Sequence, residues 1–225
     1  MNLDPFYLSL RLAAVVTAGL LVLGIPLAGW LSQTRWKWKF LVESMVALPI
    51  VLPPTVLGYY ILVAISPNSW LGSAYLKVFG DTLPFTFQGL VLASLLYSLP
   101  FAVQPFLASF ESVDLRLSEA AWMLGASRIK TFLTVVLPSS VPGLLTGIVL
   151  SFAHTLGEFG VVLLVGGNIP GSTRVVSIAI FDNVQSMEYH EAGQMSLVLL
   201  VFSFMVLALV YAVNRRIWAV SPKRF

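Results

Sequence analysis

Long apolar runs alternate with short polar connections along this chain. A hydrocarbon core about 30 Å thick needs roughly 20 apolar residues in a helix, and five stretches meet that requirement. The pattern predicts an all-α fold in which residues 1–225 form one transmembrane domain. The five predicted spans lie near residues 8–32, 40–65, 86–108, 139–167 and 194–213.

The composition agrees with a membrane protein. The chain has 58% hydrophobic and only 10% charged residues, which is too little polar surface to cover a water-soluble globule of this size. We therefore expect a multi-pass protein of the cell membrane, in contact with lipid and without nucleic acid as a partner. The absence of cysteine excludes disulfides and thiolate chemistry. The first apolar run is too long for a signal peptide, so we expect a retained span.

Basic residues predict the orientation of the spans. Ten of the thirteen Lys and Arg residues fall into connections on one side. By the positive-inside rule this side is cytoplasmic, which places the N-terminus outside and the C-terminus inside. Trp36, Trp38 and Trp218 flank the basic clusters, as interfacial aromatic residues do. The ten residues are Arg35, Lys37, Lys39, Arg116, Arg128, Lys130, Arg215, Arg216, Lys223 and Arg224.

The second predicted span is irregular. Its stretch "LPIVLPPTVLGYY" contains Pro49, Pro53, Pro54 and Gly58, so we expect its helix to kink or open. Lipid tolerates such a break only where neighbouring protein or water satisfies the freed carbonyls. A helix that lines a pathway and a purely structural kink are both compatible with this pattern. The sequence shows no internal repeat, so a fused pair of inverted halves is not indicated.

The predicted cytoplasmic loop, residues 111–138, contains two short amphipathic patterns on either side of Gly125. Gly125 suits the left-handed position that follows the last turn of a helix. We expect the polar residues Glu119, Ser127, Arg128 and Lys130 to face the cytoplasm or a docked partner. A helix pair lying on the bilayer is the alternative. The apolar positions are Leu117, Ala120, Ala121 and Leu124 before the glycine, and Ile129, Phe132, Leu133 and Val136 after it.

One motif in this loop resembles the EAA signature of ABC importer permeases. It consists of Glu119-Ala120-Ala121, three residues, Gly125, nine residues and Val135-Val136-Leu137-Pro138, with Val135 at the usual isoleucine position. The resemblance implies a type I ABC importer permease fold, in which this loop is a coupling helix that docks on a separate ATPase subunit. The residues it assigns to coupling are Glu119, Ala120, Ala121, Gly125, Ala126, Ser127, Arg128, Leu137 and Pro138.

The resemblance also implies partners. The chain contains no G-x-x-x-x-G-K-[ST] phosphate loop, so we expect no catalytic residue and no cofactor in it. ATP and Mg²⁺ would be bound by the partner ATPase subunits. A single EAA loop and five spans resemble half a pore, which implies a second permease copy, most simply in a homodimer. An extracytoplasmic oxyanion-binding protein would deliver the substrate.

Two further stretches resemble the molybdate, tungstate and sulfate permeases. "SFAHTLGEFGVVLLVGGNIPG", residues 151–171, contains elements shared by that group, and "LPIVLPPTVLGYYIL", residues 48–62, is similar to the molybdate branch in particular. The resemblance implies import of molybdate, with a tungstate or sulfate/thiosulfate permease as the alternative. The rival classes are an ion-coupled secondary transporter, an intramembrane enzyme and a purely structural membrane protein.

A pathway for a tetrahedral dianion needs hydrogen-bond donors. Hydroxyl and amide side chains in the third and fourth spans could supply them, although each is also compatible with a contact between helices. No metal site is predicted, because His190 lies beside Glu188 and Glu191 in a segment whose side chains do not converge. We expect that segment to be a solvated outer loop. The candidate donors are Ser98, Gln104, Ser109, Thr146, Ser151 and Thr155.

Glu158 is the clearest intramembrane acid, and such residues are candidates for function. His154 precedes it by one helical turn, a spacing that allows a hydrogen bond or ion pair between them. A carboxylate exposed in a dianion pathway would repel the cargo. We therefore favour a structural role, in which the pair holds the outer end of the fourth span against the loop 166–171. A role in the outer gate is the alternative.

Overall fold

The computed structural model describes the backbone of residues 3–220 and the side chains of residues 3–209, 211 and 212. Every regular element in that part of the chain is helical. The helices are α1 Asp4–Gln33, α2 Lys39–Val51, α3 Pro54–Ile65, α4 Trp70–Phe79, α5 Phe87–Glu111, α6 Leu115–Met123, α7 Arg128–Thr131, α8 Leu137–Ser139, α9 Val141–Gly157, α10 Gly160–Gly166, α11 Val176–Gln185 and α12 Tyr189–Val220, with a π-helical turn at Phe132–Val136 between α7 and α8.

Three of these helices, α1, α5 and α12, are long and apolar enough to cross a membrane. They coincide with the first, third and fifth predicted spans. The core lies between α1 and α5, where Leu12, Val16 and Leu20 belong to the same buried cluster as Val103 and Phe106. If each of two bent helix pairs counts as one span, the described chain has up to five.

The second span is broken, as its prolines predict. The axes of α2 and α3 differ by 115°, and the two residues between them, Leu52 and Pro53, are extended with ψ of 137°. Each of these residues precedes a proline, and a residue before proline is sterically driven away from the helical region. The local sequence therefore accounts for the position of the break.

The predicted fourth span, near residues 139–167, is not one continuous helix. Helix α9 ends at Gly157, Glu158 is extended with ψ of 137°, and a new helix, α10, begins at Gly160. The two glycines weaken the helix where it breaks. At the other end, the segment Arg128–Ser139 meets α9 at a bend of 73°.

Helices α5 and α9 cross in close contact. A Cβ atom added to Gly143 would lie 2.2 Å from Ser109 Cβ, and one added to Gly147 would lie 2.4 Å from Phe106 Cε1. The hydroxyls of Ser109 and Ser140 each donate to the other residue's carbonyl, at 3.2 and 3.3 Å. The end of α5 and the start of α9 are thereby tied together.

The two ends of the helix assembly differ in charge. We call the surface formed by residues 33–39 and 111–138 the basic end; there Lys39 forms ion pairs with Glu43 at 3.4 Å and Glu111 at 3.5 Å. The opposite end contains α4, α11 and the loop 167–175. The hydrophobic pattern did not indicate α4, α10 or α11 as separate helices. Among the residues used to predict orientation, Arg215, Arg216 and Trp218 fall outside the described side chains, and Lys223 and Arg224 fall outside the described residues.

Candidate functional site

At the basic end, α6 is closed by a turn that requires glycine. Gly125 has φ of +83°, and its N–H donates to the Trp122 carbonyl at 2.9 Å. The Ala126 N–H donates to the Ala121 carbonyl at 3.0 Å. Together these two bonds form a Schellman motif, which satisfies carbonyls left free at a helix end. The predicted left-handed glycine is confirmed.

The next segment connects this turn to α9. The Ser127 hydroxyl caps α7 by accepting a hydrogen bond from the Lys130 N–H at 3.3 Å. The π-helical turn Phe132–Val136 follows, and then the short helix α8, which contains Leu137 and Pro138. Single π-helical turns are rare and occur often at functional sites. Nothing in the hydrophobic pattern indicated this turn.

The loop presents apolar as well as polar side chains to solvent. Leu117 is 50% exposed, Met123 88%, Leu124 89% and Ile129 74%, whereas Ser118 is buried. In α6 the apolar face is therefore turned to solvent, and the side that packs against the rest of the chain contains Ser118. The predicted polar residues are exposed: Glu119, Ser127, Arg128 and Lys130.

The two broken spans contact each other beside their breaks. A Cβ atom added to Gly160 would lie 2.7 Å from Pro54 Cβ, and one added to Gly58 would lie 3.0 Å from Leu164 Cδ1 and 3.3 Å from Val161 Cα. The start of α10 thus packs directly on α3. These residues belong to the two stretches that resemble oxyanion permeases, so tertiary structure brings together segments about a hundred positions apart.

Glu158 stabilises the second of these breaks. Its side chain is 7% exposed, and Oε1 accepts a hydrogen bond from the Val161 N–H at 2.8 Å. This is one of the N–H groups that the first turn of α10 leaves without a helical partner. The Glu158 carbonyl accepts a hydrogen bond from Ser177 Oγ of α11. Glu158 therefore joins α9 to α10 and α11. The predicted contact was instead with the loop 166–171.

His154 belongs to a different cluster, between α5 and α9. Its Nδ1 lies 2.9 Å from Ser98 Oγ, which is itself 2.9 Å from Thr155 Oγ1. With Thr155 donating to the Ser151 carbonyl at 2.8 Å, the arrangement that satisfies all three contacts has Ser98 donating to Thr155 and accepting from His154 Nδ1–H. The imidazole also stacks on Phe101 with ring centroids 3.9 Å apart.

The contact between His154 and Glu158 that the helical spacing allowed is therefore not formed. Each side chain has another partner. The reason is the extended backbone at Glu158, which takes its carboxylate off the helical track that would have placed it one turn above His154.

The remaining donor candidates are divided among three environments. Thr146 and Ser151 donate to carbonyls of their own helix, those of Pro142 and Gly147, at 2.9 and 2.7 Å. Ser98 and Ser109 link α5 to α9. Gln104 is exposed and lines a cavity of about 370 Å³ beside α2. The structure thus brings Ser98, Ser151, His154 and Thr155 into one cluster and leaves Gln104 outside it.

The loop after α10 is ordered by its own hydrogen bonds. Thr173 is buried; its hydroxyl donates to the Gly166 carbonyl at 2.7 Å and accepts from the Ile169 N–H at 3.2 Å. Arg174 Nε donates to Asn168 Oδ1 at 2.5 Å. These hydrogen bonds give residues 167–171 a fixed conformation at the opposite end.

His190 was predicted to lie in a solvated outer loop, but it lies in a helix. It is exposed in the first turn of α12, where its Nε2 lies 2.9 Å from Gln194 Nε2. Among the described residues, no group of three or more His, Cys, Asp and Glu is placed to hold a metal ion.

Comparison with known proteins assigns the chain to a family. Residues 21–219 match the family described as binding-protein-dependent transport system inner membrane component. The chain is 50% identical over 214 residues to a molybdenum transport system permease protein of Azotobacter vinelandii, covering 95% of both chains. It is 38% identical to the corresponding protein of Escherichia coli K12, over 80% of this chain and 78% of that protein. A probable sulfate transport system permease protein of Nephroselmis olivacea is 34% identical, over 92% of this chain and 72% of that protein.

Solved structures agree on the fold. A bacterial ABC transporter involved in alginate import matches with a TM-score of 0.74 at 20% identity, over 96% of this chain and 81% of that one. The MetNI methionine ABC transporter in an inward-facing conformation matches with a TM-score of 0.71 at 15% identity, over 94% of both chains. The chain belongs to the family of binding-protein-dependent transport system inner membrane components and has the fold of type I ABC importer permeases.

Proposed function

We propose that this chain is the permease subunit of an ATP-driven importer whose cargo is molybdate. The observation that carries the proposal is its 50% identity with a molybdenum permease over 95% of both chains. Sulfate is the second candidate, because a sulfate permease is also a relative, at 34% identity. Tungstate shares the charge and shape of molybdate, so it is the closest competitor for the same pathway.

The exposed face of α6 supports docking of an ATPase subunit. An apolar surface made of Leu117, Met123 and Leu124 beside the acidic Glu119 is typical of an interaction site. The partner would bind ATP and Mg²⁺ and hydrolyse the nucleotide. The positive-inside rule supports a cytoplasmic location for this basic end.

The connections of α6 suggest how force would reach the membrane helices. It lies between α5 and α7 along the chain, and the hydrogen bonds between Ser109 and Ser140 tie the end of α5 to the start of α9. A displacement of α6 would therefore move both helices together. At its far end α9 leads into the break capped by Glu158, where α10 packs on Pro54 of α3.

The contact between the two broken spans is our candidate for part of the transport pathway. Broken helices at membrane depth are tolerated where they are buried in protein or line a cavity, and they are common at transporter sites. The pathway needs only weak, transient contacts if an extracytoplasmic binding protein supplies the affinity for the dianion. A second copy of the chain would supply the other half of the pore.

The test is uptake into vesicles that contain the purified complex of this chain, its ATPase and its binding protein. We expect ATP-dependent molybdate uptake, inhibited more strongly by tungstate than by sulfate. Sulfate uptake that molybdate does not inhibit would instead identify a sulfate permease. Uptake by this chain alone, driven by an ion gradient, would contradict the importer proposal altogether.

A further inference from the structure

A groove at the basic end lies between the last turns of α1 and the segment of residues 128–137. Its volume is about 750 Å³, which is within the range of about 300–1,000 Å³ that is typical of ligand sites. Two of its lining residues, Phe132 and Gly29 of α1, are in contact, since a Cβ atom on Gly29 would be 2.8 Å from Phe132 Cζ. Its lining includes the apolar side chains of Ile25, Pro26, Leu133 and Leu137 and the exposed basic side chains of Arg35 and Arg128.

The charges at this groove are all positive. Arg35 and Arg128 are exposed, no acidic residue lines the groove, and neither guanidinium forms an ion pair with a carboxylate of the described chain. A cavity of about 440 Å³ at the opposite end differs in this respect: it is lined by two arginines but also by Asp4, Glu188 and Glu191. The groove at the basic end therefore has the electrostatic character of an anion site.

The groove also opens towards the face of α1 that this chain leaves uncovered. Pro26 and Trp30 line it, and they continue the exposed stripe that includes Val22. Trp30 and Trp36, whose rings lie 6.3 Å apart, are of the residue type enriched at membrane interfaces. Ile25 lies about 12 Å along the helix from Gln33, at 1.5 Å per residue, so the apolar lining extends along α1 away from the guanidiniums, as an acyl chain extends from its headgroup.

We propose that this groove binds an anionic phospholipid. Arg35 and Arg128 hold its phosphate, because a guanidinium matches phosphate oxygens with two parallel hydrogen bonds. Basic pockets beside transmembrane helices are suited to anionic headgroups. One acyl chain follows the wall formed by Ile25, Leu133 and Leu137. Because Arg128 begins α7, a bound lipid ties the segment after α6 to the end of α1.

Native mass spectrometry of the purified transporter complex tests the site. The probes are phosphatidylglycerol and phosphatidylcholine with identical acyl chains. We expect the complex to retain phosphatidylglycerol in preference to phosphatidylcholine. Arg35→Gln and Arg128→Gln should each lower this retention about fivefold, because that is the effect of one basic residue near an anionic headgroup. Lys37→Gln is the matched control, since Lys37 is exposed two positions from Arg35 but does not line the groove. It should retain the lipid like the unmodified chain.

Four results would overturn the proposal, and none depends on which anion is transported. Equal retention of both lipids would show that the groove does not select an anionic headgroup. An equal loss in the Lys37→Gln variant would indicate diffuse surface attraction. Displacement of the lipid by millimolar inorganic phosphate would indicate a site for a soluble anion. A structure of the assembled complex with the groove filled by the ATPase or by a second permease copy would exclude lipid directly.

Discussion

At the scale of single residues, Gly125 shows how one backbone angle defines the turn after α6. Its φ is +83°, and a Cβ atom placed on it would meet nothing within 4 Å. A side chain at this position would therefore not clash with its neighbours, but the positive φ favours glycine. L-residues rarely adopt this region; asparagine enters it more readily than most, and β-branched residues are outliers there.

The variants Gly125→Val and Gly125→Asn separate these two factors. We expect valine to cost about 1–3 kcal/mol of backbone strain, to distort the turn and to uncouple uptake from ATP hydrolysis. Asparagine should preserve most of the coupling. The measurement is uptake and ATPase activity of the same reconstituted complexes. Normal uptake by a well-expressed Gly125→Val variant would contradict the proposed role of the turn.

Glu158 gives a second prediction at this scale. Since its carboxylate caps α10 through the Val161 N–H, Glu158→Ala should lower the stability of the folded protein by about 1 kcal/mol, the usual value of such a cap. Glu158→Gln retains an acceptor oxygen and should lose less. Thermal unfolding of the purified variants measures the difference. If both melt at the temperature of the unmodified chain, the cap does not stabilise the break.

At the scale of helices, the contact between α5 and α9 depends on small residues. A Cβ atom on Gly143 would lie 2.2 Å from Ser109 Cβ and 3.1 Å from the Pro105 carbonyl oxygen. The second distance involves backbone, which cannot rotate away. The reciprocal hydrogen bonds between Ser109 and Ser140 require this close approach.

Gly143→Ala should therefore force the two helices apart, at the cost of about 1–3 kcal/mol that overpacking usually causes. Gly193→Ala is the control, because Gly193 lies in α12 and has open space around its Cβ position. There the better helix propensity of alanine should leave stability unchanged or raise it by up to about 1 kcal/mol. Melting temperatures of both variants test the contact; a Gly143→Ala variant as stable as Gly193→Ala would contradict it.

At the scale of the whole molecule, the two ends are far apart. Helix α1 has 30 residues, which corresponds to about 45 Å at 1.5 Å per residue. The proposed ATPase contact at the basic end and the loop 167–171 at the opposite end therefore cannot touch. Any coupling between them must pass through the helices, and the joined ends of α5 and α9 are the most direct connection.

Reversing a charge on each end tests which end binds the ATPase. Glu119→Lys alters the exposed face of α6 and should weaken association with the ATPase, measured as the amount that co-purifies. Glu188→Lys changes an equally acidic, exposed residue at the opposite end and should leave association unchanged. Equal co-purification of the ATPase with both variants would argue against docking at α6.

The sequence by itself determined the features that depend on neighbouring residues. The apolar runs predicted α1, α5 and α12, the prolines before and after Leu52 predicted the broken second span, and Gly125 predicted the end of α6. Hydropathy, proline sterics and the glycine backbone act within one or two helical turns. These signals can therefore be recognised without knowing the fold.

Tertiary structure alone decided the features that join distant residues. Ser98 and His154 meet across 56 positions, and Ser109 and Ser140 across 31. The inward packing of Ser118 and the partner of Glu158 likewise depend on how several helices are arranged. A hydroxyl or carboxylate in an apolar run must find a partner, but the sequence does not say which one, because that choice is made only when the helices pack together.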